Sequence, residues 1–82
     1  MKTITYNTEG TCSKQIQLNI ADDGTIESVD FLGGCHGNLQ GIAALVKGRH
    51  PDEVIATLKG IRCHDKSTSC PDQLAKALEQ AK

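Results

Sequence analysis

Apolar and polar residues alternate through the first third of the chain. Ile4 and Tyr6 alternate with Thr3 and Thr5, and Ile16, Leu18 and Ile20 alternate with Gln15, Gln17 and Asn19. A period of two gives a strand one apolar face, so both runs read as half-buried strands. Asp22-Asp23-Gly24-Thr25 has tight-turn composition, because Gly24 tolerates a positive φ. A third strand is expected from Ile26 to Leu32, with Val29 and Phe31 on one face. Ile26 breaks that parity, which predicts a bulge or a ragged strand start.

Beyond Gly33-Gly34 the period becomes helical. Leu39, Ile42, Ala43 and Val46 fall at i, i+3, i+4 and i+7, one apolar stripe that stops at Gly48. Pro51, Asp52 and Glu53 suit the first turn of a second helix, in which Val54, Ile55 and Leu58 face inward before Gly60. The polar stretch from Arg62 to Ser69 reads as a loop. Pro71 then opens a third helix with the stripe Leu74, Ala77, Leu78 and Ala81. Strands first and helices afterwards predict an α+β domain: a three-stranded antiparallel sheet followed by helices packed on one face. No repeat or linker divides the chain, so residues 1–82 are expected to form a single domain.

Composition limits what this domain can be. Its 82 residues include one Tyr, one Phe and no Trp, so the core must be aliphatic and small. Domains of this size often add a disulfide, a structural metal or oligomerisation. A net charge of −1 supplies no general attraction to nucleic acid or anionic membrane. Lys47, Arg49, Lys59, Arg62 and Lys66 form a basic cluster that reads first as a solvated face and second as a nucleic-acid contact. Single-strand binders add stacking aromatics to such a groove, whereas Tyr6 and Phe31 sit in core patterns. The alternating N-terminal residues form neither a targeting segment nor a membrane span, which points to a cytoplasmic protein with no membrane partner. Thiols there stay reduced, so cysteines read as metal-binding or catalytic before disulfide-bonded.

Cys12, Cys35, Cys63 and Cys70 lie outside every apolar stripe, each at the edge of an element. Cys12 precedes the second strand, Cys35 the first helix, and Cys63 follows the second helix. Cys70 precedes Pro71, which predicts it as N-cap of the third helix, where free N–H groups favour the thiolate. Element ends can converge, and a metal site needs such convergence. No Cys-x-x-Cys pair occurs, so spacing leaves three readings open: a metal site, reactive or sulfur-carrying thiols, and structural cysteines. His36 and His64 each follow a cysteine and are expected to be exposed, though either could substitute for a cysteine ligand. His50 reads as a helix-entry residue. No catalytic acid or base stands out; Asp72 is the nearest carboxylate and reads as a helix-dipole partner.

Ser67-Thr68-Ser69-Cys70-Pro71-Asp72 contains the letters that name the TSCPD domain, and the whole chain resembles the small four-cysteine members of that family. Related domains end some ribonucleotide reductases, and the resemblance implies metal binding by the cysteines. A more distant resemblance is to U-type iron–sulfur cluster scaffold proteins. It rests on Thr11-Cys12, on Asp23-Gly24-Thr25-Ile26 through Gly34-Cys35, on Lys47 to Val54, and on Ser69-Cys70. That family implies a small antiparallel sheet packed against helices, with cysteines at one end. Here Lys14 replaces the scaffold's aspartate, Ser69 replaces its histidine, and Cys63 is an added thiol. The combined expectation is a tetrathiolate of Cys12, Cys35, Cys63 and Cys70, holding zinc first and an iron–sulfur cluster as the alternative. The chain would be an accessory module with a protein partner not identified by the sequence. The rivals are a sulfur-transfer protein with a reactive Cys35 or Cys70, and a nucleic-acid-binding module.

Overall fold

The computed structural model describes residues 1–81; Lys82, the last residue of the predicted domain, lies outside the described residues. Three strands come first: β1 (Lys2–Asn7), β2 (Ser13–Ile20) and β3 (Ile26–Gly33). Three helices follow: α1 (His36–Val46), α2 (Pro51–Leu58) and α3 (Cys70–Ala81). The strands pair antiparallel in the order β1-β2-β3. The α+β order read from the alternation and the stripes is the observed one.

One face of the sheet is apolar. Ile16 and Leu18 of β2 and Ile26 and Val29 of β3 join Val46, Val54, Leu74, Ala77 and Leu78 in one buried cluster. Tyr6 and Phe31 pack against that cluster and are only partly buried. Helix α3 lies against β1 and β2, α1 against β3, and α2 against α3. The opposite face is polar and laced across the strands: Thr3 donates to Asn19 Oδ1 at 2.7 Å, and Asn19 donates to Ser28 Oγ at 2.8 Å. Such a face can stay in water while its partner face holds the core.

Two irregularities set which side chains reach the interior. Ile20 pairs with Ile26 while Asn19 pairs with Ser28, so Glu27 is an extra residue on β3. That bulge turns both Ile26 and Val29 inward, which accounts for the parity break in the sequence. Lys14 is the extra residue on β2, between the pairs Ser13–Gly33 and Gln15–Leu32. Without it, Ser13 would share the outer face with Gln15 and Gln17. With it, Ser13 is buried.

Leu74 is fully buried at the centre of the cluster, whereas Leu45 is 71% exposed on α1. Leu74→Ala is expected to lose about 2–5 kcal/mol of stability through lost burial and the cavity left behind. Leu45→Ala should change it by no more than about 0.5 kcal/mol. Urea unfolding of both variants measures the contrast.

Candidate functional site

The segment Thr68-Ser69-Cys70-Pro71-Asp72 builds the start of α3. Ser69 is the N-cap: its Oγ accepts the Asp72 N–H at 3.2 Å, and its carbonyl accepts the Gln73 N–H at 2.8 Å. Cys70 is therefore the first residue of the helix and not the cap that the position of Pro71 predicts. Serine followed three residues later by a carboxylate is a capping pattern present in the sequence. Proline fits the first turn, where its missing N–H has no helical partner.

Asp72 is buried and does more than complement the helix dipole. Its carboxylate accepts the Gly60 N–H at 2.7 Å and the Thr68 hydroxyl, and Lys76 lies 3.8 Å away. The carboxylate thus joins the end of the α2 turn to the start of α3. Burial pushes the Asp72 carboxyl up, but the Thr68 and Gly60 hydrogen bonds, with Lys76 and Lys59, outweigh it and hold the group below the usual carboxylate range. Gln73 extends the network, donating to Thr68 Oγ1 at 2.9 Å and accepting the Glu9 N–H at 3.1 Å. The β1–β2 turn is thereby fixed to the start of α3.

These contacts place Cys12 and Cys70 side by side, with their sulfurs 3.7 Å apart. Ser13, turned inward by the Lys14 bulge, sets its Oγ 3.2 Å from Cys70 Sγ. Burial raises the Cys70 thiol, yet hydrogen bonds from Ser13, Cys12 and Thr11 prevail and lower it below the ordinary thiol value. Gly34 permits the close approach of the next turn. Its φ is +83°, and a Cβ there would lie 2.8 Å from Leu39 Cδ1 and 3.3 Å from Cys12 Sγ. Cys35 follows as the N-cap of α1, without a side-chain capping bond. Cys63 lies in the α2–α3 loop, where its N–H donates to Thr68 O and its carbonyl accepts the Lys66 N–H. His64 completes that turn with φ of +54°.

All four cysteines line one cavity of about 540 Å³ between the start of α3 and α1, walled also by Leu39, Ile42, Leu45 and Pro71. Cys12, Cys35 and Cys63 are exposed and Cys70 is buried; all four are free thiols. Among the described residues, no three His, Cys, Asp or Glu side chains are grouped closely enough to hold one metal ion. The structure therefore shows one contacting thiol pair, with two further thiols lining the same cavity.

His36 lines a separate groove with Asp30 and Gln40, and its ring nitrogens face the Gln40 amide. His50 is the N-cap of α2. The basic residues occupy several environments: Lys59 pairs with Glu79 at 2.8 Å, Arg49 donates to Leu45 O, and Arg62 donates to Lys66 O. Among the described residues, no helix is long and apolar enough to cross a membrane. Ser13 and Gln73 support the thiol site without being singled out by the sequence, whereas Thr68 and Gly34 stand in the motif segments quoted for the resemblance, with no structural role assigned to them there. Ser13 was hidden because its strand parity points the wrong way without the bulge.

The model of the TSCPD domain matches residues 2–82, and the chain belongs to that family. No curated protein and no solved structure gives a significant match.

The Asp72 network makes a pH-dependent prediction. A carboxyl lowered on folding adds stability that is complete above its unfolded pKa of about 3.9 and is lost as pH falls through the folded value. Asp72→Asn should cost about 1.5–3 kcal/mol near neutral pH, the range for a hydrogen bond to a charged group. The gap between parent and variant should close progressively in denaturant titrations below about pH 4. A gap unchanged at low pH would mean that Asp72 carries no charge-dependent role.

Proposed function

We propose that this TSCPD domain is a metal-binding accessory module in which Cys12, Cys35, Cys63 and Cys70 hold one zinc ion as thiolates. The observation that carries the reading is the shared cavity, lined by four thiols from four different segments of the chain. The 3.7 Å between Cys12 and Cys70 sulfurs supports it. Two thiolates on one tetrahedral zinc, with Zn–S of about 2.3 Å, stand about 3.8 Å apart. The separation of that pair is compatible with two ligands of one zinc ion. Cys35 and Cys63 sit on a helix-entry turn and a loop, and an approach by both would complete the shell. Zinc would supply a cross-link between segments that share little core.

An accessory role is favoured over an enzymatic one by the fate of Asp72. Asp72, the carboxylate nearest to Cys70 in sequence, is buried and already accepts hydrogen bonds from Thr68 and Gly60. A group so committed is poorly placed to move protons. Four thiolates would also close the shell, which suits structural binding more than turnover. The ribonucleotide reductase context of related domains supplies the first protein partner to test, in a cytoplasmic setting.

Metal analysis by native mass spectrometry should give one zinc per chain. Cys35→Ser or Cys63→Ser should weaken binding strongly, and chelation should lower the melting temperature. Failure of the parent protein to bind zinc would sink the reading. A brown protein with visible absorption would assign the same thiols to an iron–sulfur cluster instead.

Loading also changes the expected thiol reactivity. In the metal-free protein Cys12, Cys35 and Cys63 should alkylate quickly because they are exposed, while buried Cys70 lags despite its lowered pKa. With zinc bound, all four should react slowly. Time-resolved alkylation with mass mapping measures the order. Rapid reaction at one cysteine while metal stays bound would favour an open, sulfur-carrying site.

A further inference from the structure

We propose that Cys12 and Cys70 form a reversible dithiol–disulfide pair that exchanges with low-molecular-weight disulfides, with Cys12 as the entry thiol and Cys70 as the resolving thiol. The inference rests on the placement of this pair and not on the metal reading.

Among the described residues, the sulfur–sulfur contact is between Cys12 and Cys70, at 3.7 Å. A disulfide needs about 2.05 Å, so closure requires the sulfurs to approach by about 1.7 Å. The two thiols differ in the way an exchange pair must. Cys12 is exposed on the β1–β2 turn and meets solvent, whereas Cys70 is buried in the first turn of α3. Ser13 Oγ, 3.2 Å from Cys70 Sγ, can donate a hydrogen bond to a thiolate at Cys70. The Cys70 backbone is held by the Ser69 cap and the Asp72 network, and Gln73 holds the Glu9 backbone of the β1–β2 turn, so the short approach falls to the exposed Cys12 side chain and its immediate backbone.

The chemistry balances in two displacements. The Cys12 thiolate attacks one sulfur of a small disulfide RSSR, forming a Cys12–SR bond and releasing RS⁻. The Cys70 thiolate then attacks the Cys12 sulfur, forming the Cys12–Cys70 bond and expelling the second RS⁻. Both leaving thiolates take up protons. The protein dithiol loses two electrons and two protons, and RSSR becomes two RSH. Each step is thiol–disulfide exchange, reversible by excess small thiol.

The test uses the full chain, reduced and metal-free, incubated with oxidised glutathione, followed by alkylation and peptide mapping. The expected product is an intramolecular Cys12–Cys70 disulfide, with Cys35 and Cys63 alkylated. Cys70→Ser should trap a stable glutathione adduct at Cys12. The Cys35→Ser/Cys63→Ser double variant should still form the disulfide, so the proposal remains testable if one single variant misfolds. A different pairing, a glutathione adduct persisting at Cys12 in the parent, or no adduct in Cys70→Ser would overturn it. The two proposals separate cleanly. A Cys12–Cys70 disulfide in a chain that never binds zinc sustains this inference and removes the metal reading. Zinc binding accompanied by a different pairing does the reverse.

Discussion

The buried carboxylate of Asp72 is the interaction on which the site depends. A charge that deep is tolerated only when its oxygens are satisfied, and Gly60, Thr68 and nearby Lys76 satisfy them. In return the carboxylate fixes two segments that hydrophobic packing leaves poorly defined. The turn after α2 has no buried apolar residue of its own, and the loop from Ile61 to Ser67 is exposed throughout. Thr68 joins the Asp72 bond to Gln73, and Gln73 holds the Glu9 backbone. One carboxylate thus orients the α2–α3 connection, the start of α3 and, through its neighbours, the β1–β2 turn that carries Cys12.

Much of the fold was legible because its patterns are long and regular. The alternation at Ile16, Leu18 and Ile20 and the stripe at Leu74, Ala77 and Leu78 specify face as well as element type. The break at Ile26 was legible as well, since an apolar residue off parity implies either a bulge or an exposed side chain. The bulge at Lys14 was not legible. A lysine and a serine are both acceptable on a solvated face, so nothing in the pattern signals that Ser13 turns inward. The capping role of Ser69 was present in the sequence but competed with Pro71, whose first-turn preference moved the expected boundary by one residue. The Asp72 contacts are long-range in part, reaching back to Gly60, and periodicity cannot report them.

The cysteines illustrate a similar division. Their location at element edges follows from the stripes alone. Their degree of contact does not, because it depends on glycine geometry and on the bulge. Gly34 brings the β3–α1 turn against Cys12 only because it lacks a side chain and adopts a positive φ. The bulge supplies Ser13 to Cys70. Neither feature changes the hydrophobic pattern, yet each acts directly on a sulfur.

The thiols fall into a fixed pair and a loose pair, and this matters for the proposed chemistry. Cys70 is anchored by the Ser69 cap, the Asp72 network and Ser13, and the turn that carries Cys12 is tied to α3 through Glu9 and Gln73. Cys35 begins a helix that buries only Leu39 and Val46, and Cys63 lies in a fully exposed loop. A metal held by all four would therefore bridge the best-anchored part of the domain to its least-anchored parts. Its ordering effect would concentrate on α1 and the α2–α3 loop, and the freedom lost there would offset part of the binding free energy. A disulfide between Cys12 and Cys70 would have the opposite distribution. It would cross-link segments already fixed together and leave α1 and the loop as they are. The two states would differ less in the sheet and α3 than in the segments around them.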